Sequence, residues 1–138
     1  MKLIFLDTIV IIDLLGERFP FYESIAKVVT LADRKELILM TSPISFTTAE
    51  YVLTEFEPKK SVLIKLQKFA ILCKVALANQ ETIDKSLFSL FKDFEDAVQY
   101  HCALQAKCEL IITRNRPNFK NASVPVMTAE EFLSSLIV

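Results

Sequence analysis

The side chains best suited to chemistry in this sequence are carboxylates. Asp7 closes the continuous apolar run from Lys2 to Leu6 (KLIFL), which reads as a strand buried on both faces. An ionised carboxylate there is costly unless it is paired, hydrogen-bonded or metal-bound, so something must compensate it. Capping the next helix through the backbone donors of its first turn is one way, and capping does not exclude ligation. Asp93, Glu95 and Asp96 open another helix, where the macrodipole alone favours negative charge. Glu50 sits on a further helix that begins just after another strand end. Three separate elements can therefore converge their carboxylates, and hard oxygen ligands of this kind suit Mg²⁺ or Mn²⁺ with several waters retained.

Other chemistries lack their residues. With Gly16 as the only glycine, neither a Walker A loop nor a GxGxxG turn can form, because both need several glycines for the backbone to approach phosphate. His101 is the only histidine, which removes HExxH and paired-histidine zinc sites, and no serine lies in a GxSxG elbow. Cys73, Cys102 and Cys108 are odd in number and lack CxxC spacing, so they read as reduced thiols in or near the core of a cytoplasmic protein. A formal net charge of -1 argues against a broadly basic nucleic-acid coat but is silent about small sites. The amino end, Lys2 and then Leu3 to Leu15, imitates a signal peptide, yet Asp7 and Asp13 interrupt it and no small-residue cleavage site follows. No uninterrupted apolar run approaches the ~18 residues of a membrane span.

The acids need a scaffold to position them. At 138 residues and 52% apolar, the sequence reads as one domain, 1–138, with no linker or repeat. Such a chain buries roughly two thirds of its unfolded surface and needs no metal or disulfide to fold. Helical spacing is expected over Thr8 to Leu15 (capped by Asp7 or Thr8, stopped by Gly16), Tyr22 to Arg34 and Ser45 to Phe56. Pro58 starts another helix with Val62, Leu63, Leu66 and Phe69 inward, Asn79 caps one reaching about Phe91, and Asp93 caps one reaching about Ala106. Thr128 with Glu131 forms a capping box for the last, to Leu136. Further strands are expected at Leu37 to Met40, Ile71 to Leu77, Leu110 to Ile112 and Val124 to Met127. This alternation predicts an α/β fold, a three-layer α/β/α sandwich with a mainly parallel sheet, whose ligands bind beyond the carboxyl ends of the strands. Asp7, Thr41, Ser42 and Thr113 to Asn115 lie at those ends.

LDTIVIIDLL at Leu6 to Leu15, DFEDAVQYHCAL at Asp93 to Leu104 and IITRNRPNF at Ile111 to Phe119 resemble, in order and spacing, the PIN-domain family. Within it they are similar to the VapC-like toxin ribonucleases of bacterial toxin-antitoxin pairs. The resemblance covers nearly the whole chain and implies a doubly wound sandwich with a metal site of three or four acids that cleaves RNA. It makes Asp7 the first acid, Asp96 the third and Glu50 the second, with Thr48 the alternative at that position. The chain departs from the pattern at Asn115 and Asn118, where members often carry acids, and at Ile9, where asparagine is common. An amide oxygen can ligate or hold a water but adds dipole rather than charge, so metal affinity is expected to fall. Two functions are therefore expected from the resemblance. One is a cytoplasmic Mg²⁺- or Mn²⁺-dependent endoribonuclease toxin, in which Asp7, Glu50 and Asp96 bind the ion and Asn115 completes the catalytic set. The other is a weakened or inactive PIN-like module kept for RNA or protein binding.

The remaining polar groups have plain readings beside functional ones. Thr113 has a hydroxyl for a water or a carboxylate, and Arg114 suits either an RNA phosphate or a surface ion pair. His101 lies on the apolar stripe of its helix and reads as a satisfied core group. Lys59, Lys60, Lys65 and Lys68 form a solvated face that could also guide RNA. Phe19, Phe21 and Phe56, near turns, are candidates for exposure, and exposed aromatics imply partners. By resemblance these are an antitoxin and a second copy in a homodimer. A phosphoacceptor receiver domain fits poorly, since Ile71 to Leu77 ends without an acid and no lysine follows Lys120.

Overall fold

The computed structural model describes residues 1–137. Five strands, β1 (Leu3–Leu6), β2 (Ile38–Thr41), β3 (Cys73–Val75), β4 (Leu110–Ile112) and β5 (Val126–Met127), form an all-parallel sheet in the order β3-β2-β1-β4-β5. The helices are α1 (Thr8–Leu15), α2 (Tyr22–Asp33), α3 (Pro43–Leu53), α4 (Lys59–Leu72), α5 (Gln80–Leu87), α6 (Phe94–Gln105) and α7 (Ala129–Ser135). No helix among the described residues is long and apolar enough to cross a membrane.

The three layers follow from the period-two alternation of the central strands. Ile4 and Leu6 of β1, with Leu110 and Ile112 of β4, face a core built with Val10, Val28, Leu53, Val62 and Phe132 from α1, α2, α3, α4 and α7. Phe5 and Ile111 face the opposite core, with Val98, Tyr100 and Cys102 of α6. The chain runs outward from β1 to β3, then returns to the other side of β1 for β4 and β5. The order reverses between β1 and β4, which opens a crevice at their carboxyl ends.

Local signals act as expected at most helix starts. Asp7, Asn79, Asp93 and Thr128 are N-caps, and Asn79 and Thr128 each complete a capping box. Gly16 ends α1 in an ordinary right-handed conformation, and its need is for space: a Cβ there would stand 2.9 Å from the Ile12 carbonyl and 3.1 Å from Leu53 Cδ2. Several expected bounds shift. α3 begins earlier, at Pro43, because Ser42 caps it and proline suits the first turn. α5 stops at Leu87 rather than near Phe91. The strand expected over Ile71 to Leu77 shrinks to three residues because α4 runs to Leu72 and β3 is a sheet edge. The last strand keeps only Val126 and Met127, and Leu63 sits beside the inner stripe of α4 at 43% exposure rather than on it.

All three cysteines are free and buried, and burial pushes the thiols up, to about 12 for Cys73 and about 11 for Cys102 and Cys108. None is poised as a nucleophile. His101 donates from Nδ1 to the Ala97 carbonyl at 2.8 Å, an assignment that fixes the proton on that nitrogen and leaves the ring with a structural partner.

Candidate metal centre

Asp7 stands in the crevice between β1 and β4, and its position is fixed from both strands. Its backbone N–H donates to the Ile112 carbonyl at 3.0 Å, continuing the ladder by one residue. The carboxylate is 3% exposed, so its charge must be met by fixed donors. Oδ1 accepts from the Thr8 amide at 2.8 Å and Oδ2 accepts from the Thr113 hydroxyl at 2.7 Å. The Thr113 oxygen accepts in turn from the Asn115 amide at 3.0 Å. Thr113 thus serves a carboxylate, and that carboxylate is Asp7.

Asp96 approaches from the opposite wall, on the first turn of α6. Asp93 caps that turn, its Oδ1 accepting from the Asp96 amide at 2.9 Å. Asp7, Asp93, Glu95 and Asp96 then line one open cleft of about 250 Å³, with Thr48, Asn115 and Asn118 among the other walls. The crowding shows in the acid strengths. Burial, followed by the repulsion of Glu95 and Asp93, raises Asp7 from 3.8 to about 6 against the opposing pull of its Thr113 and Thr8 hydrogen bonds. Burial first, then the charges of Asp7 and Asp93, raises Asp96 from 3.8 to about 7, and the Asn118 side chain works the other way.

Glu50 is not brought into this cleft. Ser45, Ala49 and Leu53 fix the inner stripe of α3, and Thr48 and Glu50 flank it about 200° apart. The cleft lies on the Thr48 flank, where the Thr48 hydroxyl donates to Glu95 Oε1 at 3.3 Å. Glu50 is partly exposed on the other flank. Arg114 likewise turns away from the acids: its Nε and Nη2 donate to Oδ2 and Oδ1 of the buried Asp13 at 2.7 and 3.3 Å, and its guanidinium covers the Phe21 ring at 4.1 Å. It is an ion-pair residue, and a buried partner replaces the surface one expected. Of the lysines expected along α4, Lys65 is tied to Glu57 at 2.7 Å.

A buried polar cluster centred on Gln99, a residue that sequence reading passed over, supports the cleft from behind. Gln99, fully buried on α6, donates from Nε2 to the Thr8 hydroxyl at 2.8 Å and to the Ser45 hydroxyl at 2.9 Å. Thr41 Oγ1 lies 2.8 Å from both the Leu6 carbonyl and the Ser45 hydroxyl, joining the ends of β1 and β2 to α3. The only local hint was a polar residue three positions after Asp96 on a helix whose neighbours are apolar. Gln99→Leu removes these two buried hydrogen bonds, and although Thr8 and Ser45 still pair with each other at 2.8 Å, the loss costs about 2 kcal/mol by urea denaturation. An unchanged midpoint would mean that the cluster contributes nothing to holding Thr8 beside Asp7.

The donor set fits a hard divalent cation. Asp7 and Asp96 repel each other, and no lysine or arginine among the described residues pairs with either. Among the described residues no group of three or more His, Cys, Asp or Glu side chains stands close enough together to hold a metal ion. An ion here would rest on Asp7 and Asp96, and Mg²⁺ is commonly held by one or two carboxylates with several waters kept. The neutral oxygens of Thr48, Asn115 and Asn118 stand on the same walls.

Comparison with known proteins places these features. The chain is 27% identical over 134 residues to Ribonuclease VapC1 of Aquifex aeolicus, an alignment covering 94% of this chain and 92% of that protein. Its fold is similar to that of VapBC2 from Rickettsia felis in a crystal structure with a DNA fragment from the promoter, with TM-score 0.69, 15% identity, and 91% and 97% of the two chains covered. It is also similar to Mycobacterium tuberculosis VapC20, a toxin that cleaves the sarcin-ricin loop, with TM-score 0.64, 14% identity, and 78% and 86% covered. The PIN domain family model matches residues 3–117, far more than half of the sequence, and the chain therefore belongs to the PIN domain family.

Proposed function

We propose that this chain is a divalent-metal-dependent endoribonuclease, the toxin of a toxin-antitoxin pair, with Asp7 and Asp96 holding Mg²⁺ or Mn²⁺. The observation that carries the reading is a buried carboxylate, Asp7, facing the half-buried Asp96 across an open cleft, with no lysine or arginine among the described residues paired to either. When bound, the ion supplies Lewis acidity at a phosphodiester and an activated water for in-line attack. The chain's own residues do the positioning. Thr8 and Thr113 fix the two oxygens of Asp7, and Asp93 sets the first turn of α6 so that Glu95 and Asp96 enter from one side. Thr48 orients Glu95. Asn115 and Asn118 offer amide oxygens where they add no further repulsion.

The ribonuclease name of the Aquifex relative supports RNA as substrate, and the likeness to VapBC2 supports an antitoxin partner. Tyr51 and Phe56, 70% and 73% exposed, support a second copy as a further partner in a homodimer. Cytoplasm is the proposed place of action, in keeping with three free thiols. The uncharged Asn115 in the cleft favours one other reading, a catalytically silent module that binds RNA or protein.

Labelled RNA incubated with the purified protein and Mn²⁺ or Mg²⁺ should be cut, and EDTA should stop the cut. Intact RNA after incubation with folded, Mn²⁺-loaded protein would favour the silent module. Mn²⁺ affinity, followed by calorimetry, should tighten as pH rises through 6 to 7, because the protons on Asp7 (about 6) and Asp96 (about 7) must leave before the ion is held. Affinity independent of pH across that window would remove these two groups from the site.

A further inference from the structure

A second groove, of about 220 Å³, runs beside the acidic cleft between the segment Leu90 to Asp93 and the segment Pro117 to Asn121. It shares Asp93 and Asn118 with the cleft, so the two are continuous. Its chemistry is opposite. Lys92 and Lys120 line it, both exposed, and among the described residues neither forms an ion pair, whereas Lys65 and Lys85 are tied to Glu57 and Glu81. One wall is apolar: Leu90, 82% exposed, and Phe91, whose ring is stacked on Tyr100 at 4.9 Å and set edge-on to Phe119 at 5.8 Å. The groove is braced across its width, since Asn121 Nδ2 donates to the Leu90 carbonyl at 3.3 Å.

Four carboxylates in the cleft repel a polyanion, so an RNA strand needs cationic contacts next to them to stay seated. A pair of uncommitted ammonium groups beside a rigid apolar wall offers both of the contacts that single-stranded RNA uses, phosphate attraction and a surface for a base face. Resting on the nuclease reading above, we infer that this groove is the subsite for a nucleotide flanking the scissile phosphate, with Lys92 and Lys120 on its phosphates and Leu90 and Phe91 against its base. What favours RNA over a peptide is the pair of uncommitted ammonium groups, because apolar surface, which the exposed Leu87 and Phe88 extend along the chain, would suit either.

Two readouts on the full chain separate this subsite from the nuclease reading. Binding of a fluorescein-labelled single-stranded RNA is measured by anisotropy in EDTA over a series of salt concentrations. Hydrolysis of bis(p-nitrophenyl) phosphate with Mn²⁺ is measured separately, because that small diester has no neighbouring nucleotide to fill the groove. The double variant Lys92→Ala, Lys120→Ala should weaken RNA binding about tenfold and flatten the log-log salt slope by about 1.4, roughly 0.7 for each lost phosphate contact. Its diester hydrolysis should stay within about twofold of wild type, and Lys92→Arg with Lys120→Arg should restore RNA affinity. Unchanged RNA affinity and salt slope in the alanine variant would overturn the subsite, whatever the groove then proves to hold. Absent cleavage of RNA as well as of the diester in wild type, together with the expected loss of RNA binding in the variant, would sink the nuclease reading and leave the groove as an RNA-binding site only. Since both lysines are exposed, thermal melts should match wild type, and a melt lowered along with affinity would count against a contact role.

Discussion

Asp7→Asn should abolish metal-dependent RNA cleavage while making the metal-free protein more stable at neutral pH. The loss of activity should be at least about 100-fold, since changing even an outer partner of a metal ligand commonly costs 10–100-fold. The gain in stability follows from the raised acidity constants. In the unfolded chain Asp7 titrates near 3.8, and in the folded protein near 6, mainly because of its burial. Between these values the native state binds more protons than the unfolded one, so stability falls as pH rises through the window and the full penalty applies above it. A shift of about two units corresponds to about 3 kcal/mol at most. Asparagine cannot accept both of the hydrogen bonds that Thr8 and Thr113 give to the carboxylate, which reduces the expected gain to about 1–2 kcal/mol. Thermal melts in EDTA should therefore show the variant about 4 °C above wild type at pH 7.5, with the difference closing as pH drops toward 4. A variant that melts below wild type at every pH would mean that Asp7 is a structural cap and not a strained ligand.

This trade also explains which parts of the molecule can be read along the chain. Caps act within one helical turn, so Asp7, Asn79, Asp93 and Thr128 are visible as caps from their neighbours alone. The apolar runs of β1 and β4 are visible for a similar reason, because a strand buried on both faces carries no alternation to misread. The edge strand β3 has weaker instructions, and α4 takes two of the residues expected in it. At the site, the pairing of Asp7 with Thr113 spans 106 positions and that of Gln99 with Thr8 spans 91. No local pattern encodes which side chains meet at such separations. Glu50, which lies outside the cleft lining, is instructive here. The inner stripe of α3 is readable from its apolar spacing, but Thr48 and Glu50 flank that stripe symmetrically, and only the packing of α3 against the sheet decides which flank meets the cleft.

Arg114→Ala should cost about 3–5 kcal/mol, a large share of the roughly 5–15 kcal/mol that holds a domain of this kind together. Asp13, on α1, is fully buried, and the bidentate contact from Arg114 is its principal compensation. Without it the only cation left beside Asp13 among the described residues is Arg18, 3.8 Å away and a third exposed, while Phe21 loses the guanidinium that covers its ring. Lysine at 114 would restore a charge but neither the two-pronged geometry nor the stacking, so Arg114→Lys should recover part of the stability only. Adding Asp13→Asn to Arg114→Ala removes the stranded charge and should return some of the loss, a coupling that a double-mutant cycle in urea measures directly. The same series decides what Arg114 does for activity. It directly follows Thr113, whose hydroxyl holds Asp7, so any loss of RNA cleavage in Arg114→Ala should track the loss of fold and recover with it in the double variant. If instead Arg114→Ala melts like wild type and RNA binding alone falls, the residue is a phosphate contact and the buried ion pair with Asp13 is energetically idle.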